Sequence, residues 1–399
     1  MASALKNRSF LYLWTASLVS TLGSQISRIS LVLFISDTGG SAFNLALLIV
    51  LEMLPGAITA PVAGVFIDRF NRRSVMITSE LLQMLFVLTI LAWPTPGAIY
   101  LMVTLRSVAA VFFQPARAAA LALIVDRKQL QQANGLDQSA YNLVLVLGPI
   151  AGAKLLISFG LGLTLLLDAL SFLLCALLIS RLKIKGGGRN SDGISISATL
   201  SEIKEGWQYI LHNRLARYLN LLLFMDLLCT GVWLPLAPFF IRDHLGASED
   251  MLGWQLSLFG IGAVIGGVIA PLLIRYLGLG LTLFIGLVAE GGSLTLYALV
   301  SNISSSMAVV LIWGMVLSLV VVPFYSILQV VVEERFLGRV FSVARQSENL
   351  ATVMSMAAAV MLQGALASYS ILLLAGLSYM GFALASSLSK DGRTLLATR

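Results

Sequence analysis

Cysteine and histidine are scarce in this chain, with two of each among 399 residues. Cys175 and Cys229 both fall inside apolar runs, which argues against a disulfide framework. His212 and His244 lie far apart with no cysteine partners, so no metal-ligand spacing exists and no metal site is expected. Charge is scarce too: only 11% of residues are Asp, Glu, Lys or Arg, against about a quarter in soluble domains. No glycine-rich loop ends in Lys-Ser or Lys-Thr, and no nucleophile elbow or zinc signature appears, which argues against an ATP-driven pump or a hydrolase. Neither an enzyme nor a cofactor is expected. No cleavable signal peptide is expected either, because the first apolar run continues beyond Phe34 and is long enough to span a bilayer.

What the chain has in abundance is apolar sequence. Its hydrophobic fraction is 58% and its mean hydropathy +0.92, the composition of a polytopic membrane protein. Runs of about twenty apolar residues, each able to cross about 30 Å of hydrocarbon as a helix, lie near 10–36, 43–67, 74–94, 98–121, 135–158, 162–182, 217–240, 252–275, 279–300, 306–331, 340–366 and 369–389. The expected fold is therefore all-α, with about twelve transmembrane helices in two six-helix halves.

The net charge of +7 is scattered among short loops and never forms a long patch with interleaved aromatics, so nucleic acid is not an expected partner. Arg69, Arg72, Arg73, Arg127, Lys128, Lys183, Lys185, Arg335, Arg339 and Lys390 fall on one side, whereas the opposite loops hold essentially Arg242. Short Lys/Arg-rich loops stay cytoplasmic, which places both termini there, in a cell inner (plasma) membrane protein.

Residues 1–182 form the first expected half and 217–399 the second. Between them, 183–216 begins with Gly186-Gly-Gly-Arg-Asn-Ser-Asp-Gly193, a flexible composition. It continues into an amphipathic stretch, Leu200 to Leu211, which reads either as a helix along the membrane surface or as a simple spacer. The halves repeat: Pro115, Arg127, Gln138 and Ser139 recur at a constant offset as Pro323, Arg335, Gln346 and Ser347. Such a duplication is expected of a six-plus-six transporter.

Between the second and third runs stands Gly64-Val-Phe-Ile-Asp68-Arg69-Phe-Asn71-Arg72-Arg73, which resembles the loop signature of the major facilitator superfamily. Asn71 replaces the usual glycine, a substitution that asparagine's tolerance of left-handed backbone would permit. Leu105-Arg106-Ser-Val-Ala-Ala110 resembles that superfamily's fourth-helix motif, and Gly148-Pro149-Ile-Ala-Gly152 its fifth-helix antiporter motif. Gln114 to Ala120 followed by Gln132-Ala-Asn-Gly-Leu136 resembles the branch of enterobactin exporters, macrolide efflux proteins and lysophospholipid transporters. The second-half copy of the loop signature, around Gly267 to Arg275, is degraded. The resemblance implies a secondary transporter working by alternating access, and nothing in the chain demands more than a monomer.

Ionisable residues inside the spans are the candidate site, because each costs about 2.5–3.5 kcal/mol at a helix centre on insertion scales. Glu52 sits midway along the second span, where desolvation penalises only a carboxylate's charged form, a property suited to carrying protons. It also reads as the structural partner of Arg28. Arg106, always charged, matches the family's membrane arginine, which implies a part in proton coupling. Asp226, one turn before Thr230, completes the proton-coupling candidates and ranks above Glu290, expected to be structural. Asp168 and Ser171 are expected to serve packing.

Ser24, Gln25, Arg28, Glu52, Asp226 and Trp233 are candidate lining of a substrate cavity, with Phe239 and Phe240 adding aromatic surface. Gly64, Asp68, Arg69, Arg72, Arg73, Asp137, Arg345 and Glu348 read as a conformational latch or as static pairs. Gly148, Pro149 and Gly152 combine close helix approach with a freed carbonyl, and the family motif implies a hinge that favours export.

The function expected is proton-coupled export of an amphipathic organic molecule of drug or siderophore type, with protons and membrane lipid as further partners. A lysophospholipid transporter of the same fold is the alternative, and a non-transporting membrane sensor a more distant one.

Overall fold

The computed structural model describes residues 7–38, 41–125, 130–182 and 196–396. The described residues contain helices and connections and no strand. Ten segments are long and apolar enough to cross a membrane. One of them, Ala140–Ser180, holds two helices, because Gly160 breaks the backbone at φ 77° and ψ 174°. Glycine adopts that conformation without the Cβ penalty other residues meet. The helix Leu337–Gln363 is long enough to span but carries Arg339, Arg345 and Glu348, which keep it below the apolarity of the rest. These helices account for the twelve expected crossings.

The chain divides into two compact units, the first comprising residues up to Gly39 with Leu47–Leu200, the second Gly40–Ala46 with Ser201–Arg399. In the first unit, α1 (Arg8–Asp37), α2 (Ala42–Arg69), α3 (Arg72–Ala92), α4 (Pro96–Ala110), α5 (Phe113–Ile124) and α6 (Leu130–Ser180) follow one another. The fourth crossing is α4 and α5 together, interrupted just before Pro115, and α6 contains the fifth and sixth. Helix starts are capped by short polar side chains: Asn7 Oδ1 accepts from the amides of Ser9 and Phe10, and Thr95 Oγ1 from that of Ala98. Such caps satisfy donors that no intrahelical carbonyl can reach.

Asn71 belongs to this group of caps and corrects the left-handed expectation. Its backbone is extended, at φ −64° and ψ 117°, and its Oδ1 accepts from the Arg73 amide to start α3. The asparagine works through its side-chain oxygen rather than through its backbone tolerance.

The second unit holds α7 (Ile196–His212), α8 (Arg214–Thr230), α9 (Trp233–Phe239), α10 (Met251–Leu277), α11 (Leu279–Leu299), α12 (Ile303–Val331), α13 (Leu337–Gln363), α14 (Ser368–Leu388) and a short α15 (Lys390–Leu396). Helices α8 and α9 with a π-helical turn, Phe240–His244, make one crossing. The amphipathic stretch does form a helix, and protein covers part of its apolar side, although Leu211 stays exposed. Ile210 is buried in the core, Trp207 Nε1 donates to Gln346 of α13 at 3.4 Å, and Glu205 pairs with Arg339 at 2.6 Å. The Arg339 carbonyl would lie 2.8 Å from a Cβ on Gly206, so the glycine permits this docking. The glycine-rich stretch before it lies outside the described residues.

Helix α1 packs closely against α6 through the glycines of the expected hinge. A Cβ on Gly148 would meet that of Gln25 at 2.6 Å, and one on Gly152 would come within 2.8 Å of the Ile26 carbonyl oxygen. Ser30 adds a hydrogen bond to the Gly152 carbonyl at 3.2 Å. We expect Gly152→Val to destabilise the protein by about 1–3 kcal/mol, as overpacking does. Equilibrium unfolding in detergent would measure it, and unchanged stability would refute this account of the α1–α6 contact.

Candidate functional site

Four helices of the first unit converge on one guanidinium. Arg106 of α4 lies 3.1 Å from the Asp168 carboxylate of α6 and 3.6 Å from the Glu52 carboxylate of α2. Ser27 of α1 accepts from Arg106 at 3.2 Å and donates to Asp168. Glu52 in turn meets Arg28 of α1 at 2.9 Å. The result is a chain, Arg28–Glu52–Arg106–Asp168, in which cation and anion alternate.

The chain runs from partly open to closed. The side chains of Arg28 and Glu52 are 35% and 24% exposed, that of Arg106 is 9% and that of Asp168 is 0%. Room for the closed end comes from Gly23, whose missing Cβ would lie 3.0 Å from Asp168 Oδ1 and closer still to Ser171. The Arg28–Glu52 pair expected from the sequence is present, and Arg106 does compensate a carboxylate. Asp168, however, is a direct partner of Arg106 rather than a packing residue, and Ser24 faces the same carboxylate.

A second polar cluster in this unit was not read from the sequence. Arg117 Nε donates to Ser17 Oγ at 2.5 Å while its Nη2 pairs with Asp137. They border a cavity of about 350 Å³ lined also by Trp14, Thr21, Gln114 and Tyr141. Glu80, wholly overlooked, is 1% exposed and accepts from Ser20 at 3.0 Å. The signal was available, since Glu80 interrupts the third apolar run just as Glu52 interrupts the second. A larger cavity of about 580 Å³, against α3 and α4, is walled by Phe70, Leu82, Phe86, Leu105 and Phe112. No ionisable side chain lines it, so it is not the chemical site.

The latch candidates find partners within their own units. Asp137 pairs with Arg117, and Arg73 donates to the Ser180 and Leu182 carbonyls at the end of α6. In the second unit Glu348 accepts from Arg345 at 2.8 Å and from Tyr325 at 2.9 Å. The side chain of Arg72 is half-buried. The surroundings of Gly64 and the side chains of Asp68 and Arg69 fall outside what the structure describes.

Asp226 and Trp233 are buried inside the second unit, 2% and 7% exposed. Trp233 stacks among Trp313, Phe259 and Tyr297, with ring centroids 5.0, 5.6 and 6.1 Å away. Phe239 and Phe240 are buried too. The aromatic surface attributed to this helix is core packing in the structure, and the aromatic argument for an amphipathic substrate loses its footing there.

Twelve helices able to cross a membrane and a buried chain of alternating charges are features of a membrane transport protein. The chain belongs to the Major Facilitator Superfamily, whose family model matches residues 13–356. It is 26% identical over 86% of each chain to macrolide efflux protein A of Streptococcus pyogenes. With the multidrug efflux pump Tap of Mycolicibacterium fortuitum it shares 24% identity over 85% of each chain. A bacterial homologue of the iron transporter ferroportin, solved in an inward-facing state, superposes with a TM-score of 0.75 at 17% identity, covering 97% of this chain and all of that one. That last likeness concerns the fold alone.

Removing the closed end of the charge chain would leave Arg106 without its fully buried counter-charge. Asp168→Ala is expected to cost about 3–5 kcal/mol, the penalty for breaking a buried ion pair. Asp168→Asn, which keeps a hydrogen-bond acceptor, is expected to cost less. Unfolding midpoints of the two variants in detergent would test this order, and equal stability of Asp168→Ala and the parent protein would refute it.

Proposed function

We propose that this transporter exports an amphipathic organic molecule from the cell by alternating access, driven by inward proton movement through Glu52. The observation that supports this reading is the position of Glu52 between two arginines at the partly open end of the charge chain. Ionised, its carboxylate attracts both guanidinium groups. Once protonated it keeps hydrogen bonding but loses its charge, and Arg106 turns wholly to Asp168 while Arg28 is released. One proton thereby changes how strongly α1, α2 and α4 are held together, and a ligand that competes for Arg28 or Glu52 acts on the same equilibrium.

Export as the direction rests on the efflux names of the relatives and on the Gly148-Pro149 and Gly152 motif. The antiport motif and the same names favour a drug-like substrate, with siderophores within the same chemical range. The arginine-rich loops support a cytoplasmic position for both termini, and the cell inner membrane is the proposed location. Asp137, Arg345, Glu348 and the Asp68–Arg73 loop remain proposed conformational elements, with Arg73, Asp137, Arg345 and Glu348 exchanging the partners they hold within their own units.

The test is substrate-induced proton release from purified protein in detergent, with a macrolide, a lipophilic cation, a catecholate siderophore and a lysophospholipid as ligands. A macrolide or lipophilic cation is expected to release protons from the parent protein, and Glu52→Gln is expected to bind the same ligand while releasing fewer. Binding with no release, unchanged by Glu52→Gln, would refute proton antiport through this residue. Selective response to lysophospholipid would replace the drug-like substrate with a lipid one.

A further inference from the structure

The two units treat their buried carboxylates differently. In the first, Arg28 and Arg106 sit against Glu52 and Asp168, while the buried Glu80 accepts from Ser20. In the second, Asp226 of α8 and Glu290 of α11 are each 2% exposed, and among the described residues neither forms an ion pair with a lysine, arginine or histidine. Their surroundings offer little charge of any kind. Asp226 faces Cys229 on its own helix, Glu290 on α11 and Tyr379 on α14. Farther along, it faces Glu348 of α13, which is itself engaged by Arg345 and by Tyr325 of α12. Glu290 faces Asp226, Tyr379 and Trp313 of α12.

The hydrogen bonding is incomplete in one particular way. Trp313 Nε1 donates to Glu290 Oε1 at 3.1 Å, whereas Glu290 Oε2 and Asp226 Oδ1 are buried with no partner. The fully buried Tyr379 hydroxyl points at Asp226 and also lacks a partner in hydrogen-bond geometry. Beside Glu290, Trp313 packs against Trp233, which also meets Tyr297 and Phe259, an aromatic cluster that supplies no counter-charge. Two carboxylates in such a place repel each other and have surrendered their hydration, and nothing nearby balances both charges. Bare oxygens of two acids beside an unsatisfied hydroxyl are the arrangement that a shared proton completes.

We propose that Asp226, Glu290 and Tyr379 form a second proton-binding site, housed entirely in the C-terminal unit, which holds at least one proton where Glu52 and Asp168 of the N-terminal unit meet arginine. The bound proton sits on a carboxyl oxygen of the pair, and Tyr379 donates to whichever carboxylate oxygen is left ionised. Loss of the proton to water leaves uncompensated negative charge in the aromatic core, so release requires water or a cationic group to enter. Glu290, expected from the sequence to be a structural partner, is thereby joined to Asp226 as one titrating unit. Proton binding here does not depend on the export reading, although the site's role in the transport cycle rests on it.

Infrared spectroscopy of the full-length protein in detergent, without substrate, tests the site directly through the carbonyl band of protonated carboxyl groups at neutral pH. A component of that band is expected to vanish in Glu290→Gln or in Asp226→Asn and to persist in Glu52→Gln. Both C-terminal variants are close in shape to the native side chains, and the band of the parent protein supplies the reference. Spectra of Glu290→Gln and Asp226→Asn that both match the parent protein's would show the pair ionised and overturn the proposal. Where substrate releases protons from the parent protein, Glu290→Gln is expected to release fewer, and equal release would overturn the site's part in coupling. Absence of all substrate-induced release, with the Glu290-sensitive band present, would count against the proton-coupled reading above and in favour of the site itself.

Discussion

The structure of the first half depends on one constraint: a carboxylate taken out of water needs its charge balanced or removed. Arg106 meets that constraint for two acids at once. It draws Asp168 of α6, Glu52 of α2 and, through Ser27, α1 onto α4. Helices in lipid gain little from burying apolar surface against each other, since the tails are as apolar as leucine. Polar contacts of this sort therefore specify which helix faces lie together to a degree that leucine packing does not. The glycines finish what the charges begin: Gly23 leaves space for Asp168 and Ser171, while Gly152 lets α6 approach the α1 backbone.

The second half solves its packing by other means. Its tight contacts join α10 to α12 and α11 to α14, where Gly262, Gly266 and Gly314 in the first pair and Gly291 and Gly376 in the second bring backbones together. Hydrogen bonds then replace ion pairs, as when Tyr297 donates to Gln255 and Gln255 to Ser306. Asp226 and Glu290 stand out against this neutral background. In a core organised by arginine they would be ordinary partners, and here, among the described residues, their oxygens Oδ1 and Oε2 stand buried without one. The repeat read from the sequence, with Pro115 and Pro323 at a constant offset, thus goes with different electrostatics in the two units.

Much of this was legible in the sequence, and the reasons are physical. Crossing the membrane requires long apolar runs, so the helices announce themselves, and a charge inside a run marks a residue with a partner. Glu52 with Arg28 followed from that rule alone. Asp168 was equally visible as a charge, but its sixth helix is peripheral in this fold, and the inference to packing confused the position of a helix with the direction of its side chains. Trp233 erred the opposite way, because a helix expected to line a cavity turned its indole inward among Trp313 and Phe259. Periodicity places a residue on a helix, while the rotation of that helix is set by contacts from distant parts of the chain.

The amphipathic helix shows the same limit from another side. Its sequence reports an apolar stripe beside a polar one, which fits a lipid surface and a protein groove equally well. What settles the matter is Gly206, where the absence of a side chain brings the helix against the Arg339 carbonyl, with Trp207 reaching Gln346 and Glu205 reaching Arg339 on either side. Lipid has no use for a glycine at the centre of an amphipathic face, since it moulds to any side chain. A rigid helix does, and the glycine within the Glu205-Gly206-Trp207 triplet is the feature that tells a protein groove from a lipid surface.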